Sequence, residues 1–91
     1  KRLGYDVTTF LGIHLKHANT HLKVVEEIKK LKEIIEINYT TGTYALIIRT
    51  RTKTIFELHK LLVEKIQAIP EIQATESFIC LDEMLSHRTM T

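Results

Sequence analysis

The chain has 91 residues, of which 44% are hydrophobic and 26% are charged, and its formal net charge at pH 7 is +2. A chain of this length forms one domain with a thin core, because it buries only roughly 60–65% of its unfolded surface. The composition excludes a disordered chain, and so small a net charge does not by itself predict a nucleic-acid groove. No apolar run approaches the roughly 20 residues that a membrane span needs, and no signal-peptide pattern opens the sequence. We therefore expect a single soluble domain over residues 1–91.

A single cysteine, Cys80, excludes an internal disulfide and agrees with a cytoplasmic location. The first residue is Lys1 rather than Met. Two interpretations follow: the gene product continues upstream, or the chain has been trimmed.

The first third of the sequence predicts a strand followed by a helix. Residues 5–15 alternate with a period of two, with Tyr5, Val7, Thr9, Leu11, Ile13 and Leu15 on one face. The other face contains Phe10 and Gly12 and is less polar than a solvated face, so we expect another subunit to cover it. Asn19 is a suitable N-cap for a helix that extends to about Lys32. Its apolar stripe consists of Leu22, Val25, Ile28 and Leu31.

The middle of the chain predicts a β-hairpin. Residues 35–41 and 44–50 are rich in Ile, Tyr and Thr, which favour strands. Gly42 is the expected turn residue, since it can adopt a positive φ that Thr41 and Thr43 would resist. The backbone amides and hydroxyls of this turn form a candidate small-ligand site. The first run places Ile35, Ile37 and Tyr39 on one face, and in the second Leu46 and Ile48 alternate with Ala45, Ile47 and Arg49.

The last third predicts a second helix and a fourth strand. Thr54 and Glu57 have the spacing of a capping box, and Pro70 ends the helix. Residues 72–81 alternate as a strand, and we expect a short helical or frayed tail beyond Asp82. The apolar stripe of the helix consists of Ile55, Leu58, Leu62, Ile66 and Ile69.

The element order β-α-β-β-α-β predicts a ferredoxin-like α+β fold, in which a four-stranded antiparallel sheet carries both helices on one face. The other face would expose an apolar patch, which usually marks an interface. A face-to-face dimer is the simplest way to cover it. The predicted interface residues are Phe10, Ala45, Ile47 and Phe78.

Three short motifs accompany this order: Tyr39-Thr-Thr-Gly-Thr-Tyr44, Thr75-Glu-Ser-Phe-Ile79 and Ala68-Ile-Pro-Glu-Ile72. With their spacing, they resemble the C-terminal effector domain of the Lrp/AsnC (feast/famine) transcription regulators. The third motif is similar to the "lPgV" element of that family. The resemblance extends from Leu3 to about Glu83.

The resemblance implies that the chain pairs through its sheets into an α/β barrel-like dimer and assembles further, often into octameric rings. It also implies an amino-acid effector bound between subunits, no cofactor, and DNA binding only through an upstream helix-turn-helix that is absent from this chain. The ligand-binding residues would be Thr41, Gly42, Thr43, Tyr44 and Ala45 at the turn, with Thr75 and Ser77 from the last strand.

The turn departs from the family in one respect. The family turn is commonly Gly-Asp-Tyr/Phe-Asp, whereas this chain has Gly42-Thr43-Tyr44-Ala45. Backbone N–H groups can still receive a ligand carboxylate. A ligand ammonium has lost the acceptors that would form charge-assisted bonds with it. The effector therefore stays open at this point.

Three alternatives to effector sensing remain. One is a purely structural oligomerisation module, a stand-alone domain of this type without effector binding. Another is an ACT-like amino-acid-binding domain, which would place its ligand near the loop at residues 16–19. The third is an enzyme on the same barrel-like dimer, as in small α/β-barrel monooxygenases. The sequence has no catalytic constellation with suitable spacing, so we expect no enzyme activity.

The remaining candidate groups predict no further site. His14, His17 and His21 are suitable metal ligands by type, but they lie across a strand end and a helix start with no common face. We therefore expect surface or interface histidines and no metal site. Cys80 has no activating neighbour in the sequence and is expected to pack as a small apolar residue. Glu76 is interpreted as a polar residue at the interface or its rim.

Overall fold

The computed structural model describes residues 6–87. The predicted ferredoxin-like fold is confirmed: four antiparallel strands form one sheet in the order β2-β3-β1-β4. The elements are β1 (Val7–Leu15), a 3₁₀ turn (Ala18–Thr20), α1 (His21–Ile28), β2 (Ile34–Tyr39), β3 (Leu46–Thr52), α2 (Ile55–Lys60) continuing as a π-helical segment (Leu61–Ile66), and β4 (Ile72–Ile79). Tyr5, predicted to begin the first strand, lies outside the described residues.

The hydrophobic core lies between the sheet and the helical layer. As predicted, Leu11 and Ile13 of β1 face the helices, and Leu46 and Ile48 of β3 lie beside them with no exposed surface. This face of the sheet is called the covered face below, and the opposite one the open face. The rest of the core consists of Val24, Ile28, Leu61, Ile66 and Ile72.

Helix α1 differs from the prediction at its start, its end and its buried face. Thr20, not Asn19, is the N-cap residue, because residues 18–20 form a 3₁₀ turn in which the Thr20 hydroxyl donates to the His17 carbonyl at 2.7 Å. The helix ends at Ile28 rather than near Lys32. Residues spaced strictly by three drift about 60° per step around an α-helix. Consequently Leu22 is 68% exposed, and Val24 is buried in its place.

Helix α2 begins at the predicted capping box. The Glu57 N–H donates to the Thr54 hydroxyl at 3.0 Å, and the Glu57 carboxylate accepts from the Lys53 N–H at 3.1 Å. The predicted apolar stripe is wrong at two positions: it included Ile55, which is exposed, and it omitted Leu61, which is buried. The second half of the helix is π-helical, and this wider turn changes which side chains face the sheet.

The hairpin is present, but its turn differs from the predicted one. Six residues, 40–45, separate β2 from β3, and Gly42 does not adopt a positive φ in the left-handed range. Two-residue hairpin turns demand that conformation, whereas this six-residue loop does not. The prediction that Ile35 shares a face with Ile37 and Tyr39 is also wrong. A bulge between Ile34 and Glu36 leaves Ile35 40% exposed.

Strand β4 ends at Ile79, two residues earlier than expected, and residues 80–87 have no regular secondary structure. The tail was expected to be helical or frayed, and of these two forms the helical one is absent from the described part of the chain. Among residues 6–87, no helix has the length and apolar character to cross a membrane.

Candidate ligand-binding cleft

A cleft of about 220 Å³ lies beside the β2–β3 turn. It is smaller than the roughly 300–1,000 Å³ of sites for drug-sized ligands, and its size suits a ligand such as a single amino acid. Its lining combines main-chain groups, hydroxyls and one imidazole, with no carboxylate. The lining residues are His14, Leu15, Ala18, Tyr39, Thr40, Gly42, Thr43 and Ala45.

Thr40 organises the turn that forms one wall of this cleft. Its hydroxyl donates to the Tyr44 carbonyl and accepts from the Gly42 N–H, 3.1 Å away. Its own N–H donates to the Ala45 carbonyl at 2.9 Å. These three bonds hold the loop from residue 40 to residue 45 in a defined shape.

The start of α1 forms the opposite wall. The His21 ring stacks on the Tyr39 ring with centroids 4.0 Å apart and an interplanar angle of 2°. The His21 Nδ1 atom lies 3.1 Å from the Ala18 carbonyl oxygen. Ala18 belongs to the loop that an ACT-like site would use, so the two alternative ligand positions border the same cleft.

The structure separates the predicted ligand-binding residues into three groups. Gly42, Thr43 and Ala45 line the cleft, whereas Thr41 is exposed in the turn without lining it. Tyr44 belongs with Thr41 in the second group, which does not line the cleft: its ring lies over Gly12 on the open face.

Thr75 and Ser77 form the third group and lie outside the cleft of their own chain. Ser77 is paired with Leu11 and Thr75 with Ile13, which places both hydroxyls on the covered side of β4. Thr75 Oγ1 accepts from the Gln67 amide at 3.1 Å. Strand β1 separates them from the hairpin.

The open face of the sheet carries three of the four residues predicted to form a dimer interface. Phe10 and Phe78 are paired across β1 and β4 and remain 38% and 45% exposed, and Ile47 lies half-buried on β3. Ala45, the fourth, also lines the cleft. The cleft therefore lies at the border of the predicted interface.

Gly12 permits the close approach of Tyr44 to the open face. A Cβ atom on Gly12 would lie 2.6 Å from Cγ of the Tyr44 ring, closer than real Cβ contacts allow. The Tyr44 ring also lies 4.8 Å from the His14 ring and 6.2 Å from the Phe78 ring, measured between centroids. Gly12 was visible in the sequence, but its partner was not, because the two residues are 32 positions apart.

The histidines of the first strand–helix unit belong to different environments. His14 lines the cleft and contacts Tyr44, His21 stacks on Tyr39, and His17 is exposed. Across residues 6–87, no three His, Cys, Asp or Glu side chains are grouped closely enough to hold a metal ion. Cys80 is half-buried beside the open face, where its N–H donates to the Thr8 carbonyl at 2.9 Å.

Comparisons with known proteins agree with this arrangement. The family model of the Lrp/AsnC ligand binding domain matches residues 8–90. The chain is 46% identical over 81 residues to the regulatory protein AsnC of Haemophilus influenzae, which covers 89% of this chain and 54% of that protein. The chain thus spans about half the length of the curated relatives it matches.

Solved structures show the same similarity. The structure of Escherichia coli AsnC superposes with a TM-score of 0.90 and 38% identity, covering 94% of this chain and 58% of that one. A transcriptional regulator of Neisseria meningitidis in complex with L-methionine superposes with a TM-score of 0.84 at 12% identity, covering 93% and 56%, and shares the fold. The relatives are regulatory proteins and not enzymes. This chain belongs to the Lrp/AsnC family and forms its ligand-binding domain.

Proposed function

We propose that this domain senses an amino acid or a similar small metabolite in the cleft at the β2–β3 turn and reports its presence through a change in subunit assembly. The observation that carries the proposal is the cleft itself, a small cavity with a hydrogen-bonded turn as one wall. In a full-length regulator, DNA binding would come from a segment outside this chain.

The chemistry of the lining supports a zwitterionic ligand of modest size. Main-chain N–H groups in a turn can receive a ligand carboxylate. The hydroxyls of Thr40 and Thr43 and the imidazole of His14 are acceptors for a ligand ammonium, in place of the two carboxylates common in the family turn. The L-methionine complex of the Neisseria regulator, which shares the fold, supports the same class of ligand.

Assembly supports the proposal in a second way. Within one chain Thr75 and Ser77 lie on the covered side of β4, and β1 separates them from the hairpin, so the predicted contact with a ligand would have to come from a neighbouring subunit. The exposed rings of Phe10 and Phe78 supply an apolar surface for the pairing of two sheets. A ligand shifts such an assembly only if it binds one arrangement more tightly than the other.

Thermal unfolding with a pool of the twenty amino acids tests the proposal. We expect the pool to raise the melting temperature of the unmutated domain, since a ligand that binds only the folded state stabilises it. In Gly42→Val the rise should disappear. A Cβ at position 42 meets only the Thr40 hydroxyl, at 3.8 Å, and the φ of Gly42 lies outside the left-handed range, so a side chain there adds bulk to the cleft wall.

Ala68→Val, an exposed alanine beyond the π-helical segment, is the matched control and should keep the full ligand response. A melting temperature that no amino acid raises would reject sensing. It would favour the alternative of a purely structural oligomerisation module, which the replacement of the family carboxylates by Thr43 and Ala45 supports.

A further inference from the structure

The side chain of Tyr44 connects the cleft to the open face. Its main chain belongs to the turn, and its ring leaves the turn to lie over Gly12. The ring contacts His14, which also lines the cleft. Tyr44 therefore supports the cleft through His14 without lining it.

Glu76 holds the far end of Tyr44. It is the β4 residue paired with Gly12, so it projects from the open face next to the position that the Tyr44 ring covers. The Tyr44 hydroxyl donates to the Glu76 carboxylate. This hydrogen bond, followed by burial and the negative charge of Glu76, raises the pKa of Tyr44 above its usual value.

The near end of Tyr44 is fixed to the cleft wall. Its carbonyl accepts from the Thr40 hydroxyl, and that same hydroxyl accepts from the Gly42 N–H at 3.1 Å. A displacement of Tyr44 would disturb both bonds. A continuous set of contacts thus runs from the carboxylate of Glu76 on β4 to the main chain of Gly42 in the cleft.

We infer that Glu76 is a positioning residue for ligand binding: by holding Tyr44 against the open face, it keeps the turn at residues 40–45 in the shape that forms the cleft. The inference rests on the proposed function. It assigns Tyr44 to the support of the site instead of to ligand contact. It also connects the ligand site to the surface predicted to pair with a second subunit, since Tyr44 lies beside Phe78 on that surface.

The first readout is the turn in the absence of any ligand. In Glu76→Ala we expect the pKa of Tyr44, followed by NMR of its ring carbons, to fall toward the usual tyrosine value. Amide hydrogen exchange at Gly42 should accelerate roughly fivefold, the factor that corresponds to the loss of one ordinary hydrogen bond. Tyr44→Phe should accelerate exchange to the same extent, and the double variant should add nothing further.

The second readout is the thermal shift produced by the pool of twenty amino acids. Glu76→Ala should reduce it, whereas Glu76→Gln, which retains an acceptor oxygen, should preserve most of it. Glu36→Ala is the matched control. It removes a carboxylate from the same face, where Glu36 pairs with Arg49 at 3.2 Å. It should change neither the Tyr44 titration, nor the amide exchange at Gly42, nor the thermal shift.

The outcomes separate this inference from the proposed function. Unchanged Tyr44 titration and Gly42 exchange in Glu76→Ala would overturn the positioning role whether or not a ligand binds. A disturbed turn with an unchanged thermal shift would overturn it as well. A disturbed turn in a domain that responds to no amino acid even when unmutated would reject ligand sensing, while the contact of Glu76 with the turn would stand.

Discussion

The two faces of the sheet differ in how deeply their side chains are buried and in the contacts that they make. On the covered face, Leu11, Ile13, Leu46 and Ile48 are completely buried against the helices. On the open face, exposed aromatic rings alternate with polar contacts such as Tyr44–Glu76 and Arg49–Glu36. The covered face contributes most of the burial that stabilises the fold, and the open face contributes contacts that a second subunit or a ligand can alter.

This difference explains why neighbouring residues of one strand are expected to respond differently to mutation. A covered residue that is truncated leaves a cavity in a packed core. An open-face residue that is truncated loses contacts that depend on its neighbours in the assembly. Three predictions test the comparison.

The largest effect is expected from Ile48 and Ile47, which are adjacent on β3 and face opposite ways. Ile48→Ala should lower the free energy of unfolding by about 2–5 kcal/mol, because Ile48 has no exposed surface. Ile47→Ala should have a smaller effect that grows with protein concentration, since its partners would include a second subunit. Urea unfolding at several protein concentrations measures both. Equal, concentration-independent losses would contradict the distinction between the faces.

A moderate effect is expected from Gly12. Gly12→Ala should lower the free energy of unfolding by roughly 1–3 kcal/mol, because its Cβ would lie 2.6 Å from the Tyr44 ring. Tyr44→Ala in the same chain should recover part of this loss by removing the ring. Gly42→Ala is the control and should stay within about 0.5 kcal/mol of the unmutated domain. Calorimetry of the unmutated domain, Gly12→Ala, the double variant and Gly42→Ala provides the measurement. A Gly12→Ala loss that Tyr44→Ala did not reduce would show that Tyr44 does not lie over Gly12.

The smallest effects are expected in the pH dependence of stability. The Lys23 ammonium, 2.9 Å away, lowers the pKa of Glu71 below 4.5, chiefly through a hydrogen bond. The unfolded chain therefore binds more protons there, and the contribution of Glu71 is complete above pH 4.5 and lost on further acidification. Tyr44, with a pKa above 10.0, has the opposite sign: its contribution is complete below pH 10.0 and lost as the pH rises through that pKa.

Variants assign the two limbs. Glu71→Gln should flatten the acid limb. It should also weaken the alkaline limb, because Glu71 raises the pKa of Lys23 through the same hydrogen bond. Tyr44→Phe should flatten the alkaline limb and leave the acid limb unchanged. Urea midpoints across the pH range provide the measurement. An acid limb that Glu71→Gln left unchanged, or that Tyr44→Phe altered, would show that the assignment is wrong.

The sequence predicted those features that local pattern determines. The period of two in β1 identified which residues face the helices, and the spacing of Thr54 and Glu57 located the start of α2. Val24 and Leu61 were missed, because a 3₁₀ turn and a π-helical segment changed the helical faces, and neither has a pattern in the residues themselves.

The candidate site was only partly predictable for a related reason. Gly42, Thr43 and Ala45 follow from the hairpin, which is local in the chain. His14, Ala18 and Tyr39 become neighbours only when the start of α1 packs against the end of β2. The part played by Thr75 and Ser77 came from the family resemblance and stays a prediction.

Light scattering of the purified domain, with and without the pool of twenty amino acids, tests the central claim most directly. We expect an assembly of at least two subunits whose mass changes when the pool is added. This response should be lost in Gly42→Val and retained in Ala68→Val. A mass that stays constant in every amino acid, in the unmutated domain as in both variants, would contradict sensing at the hairpin turn.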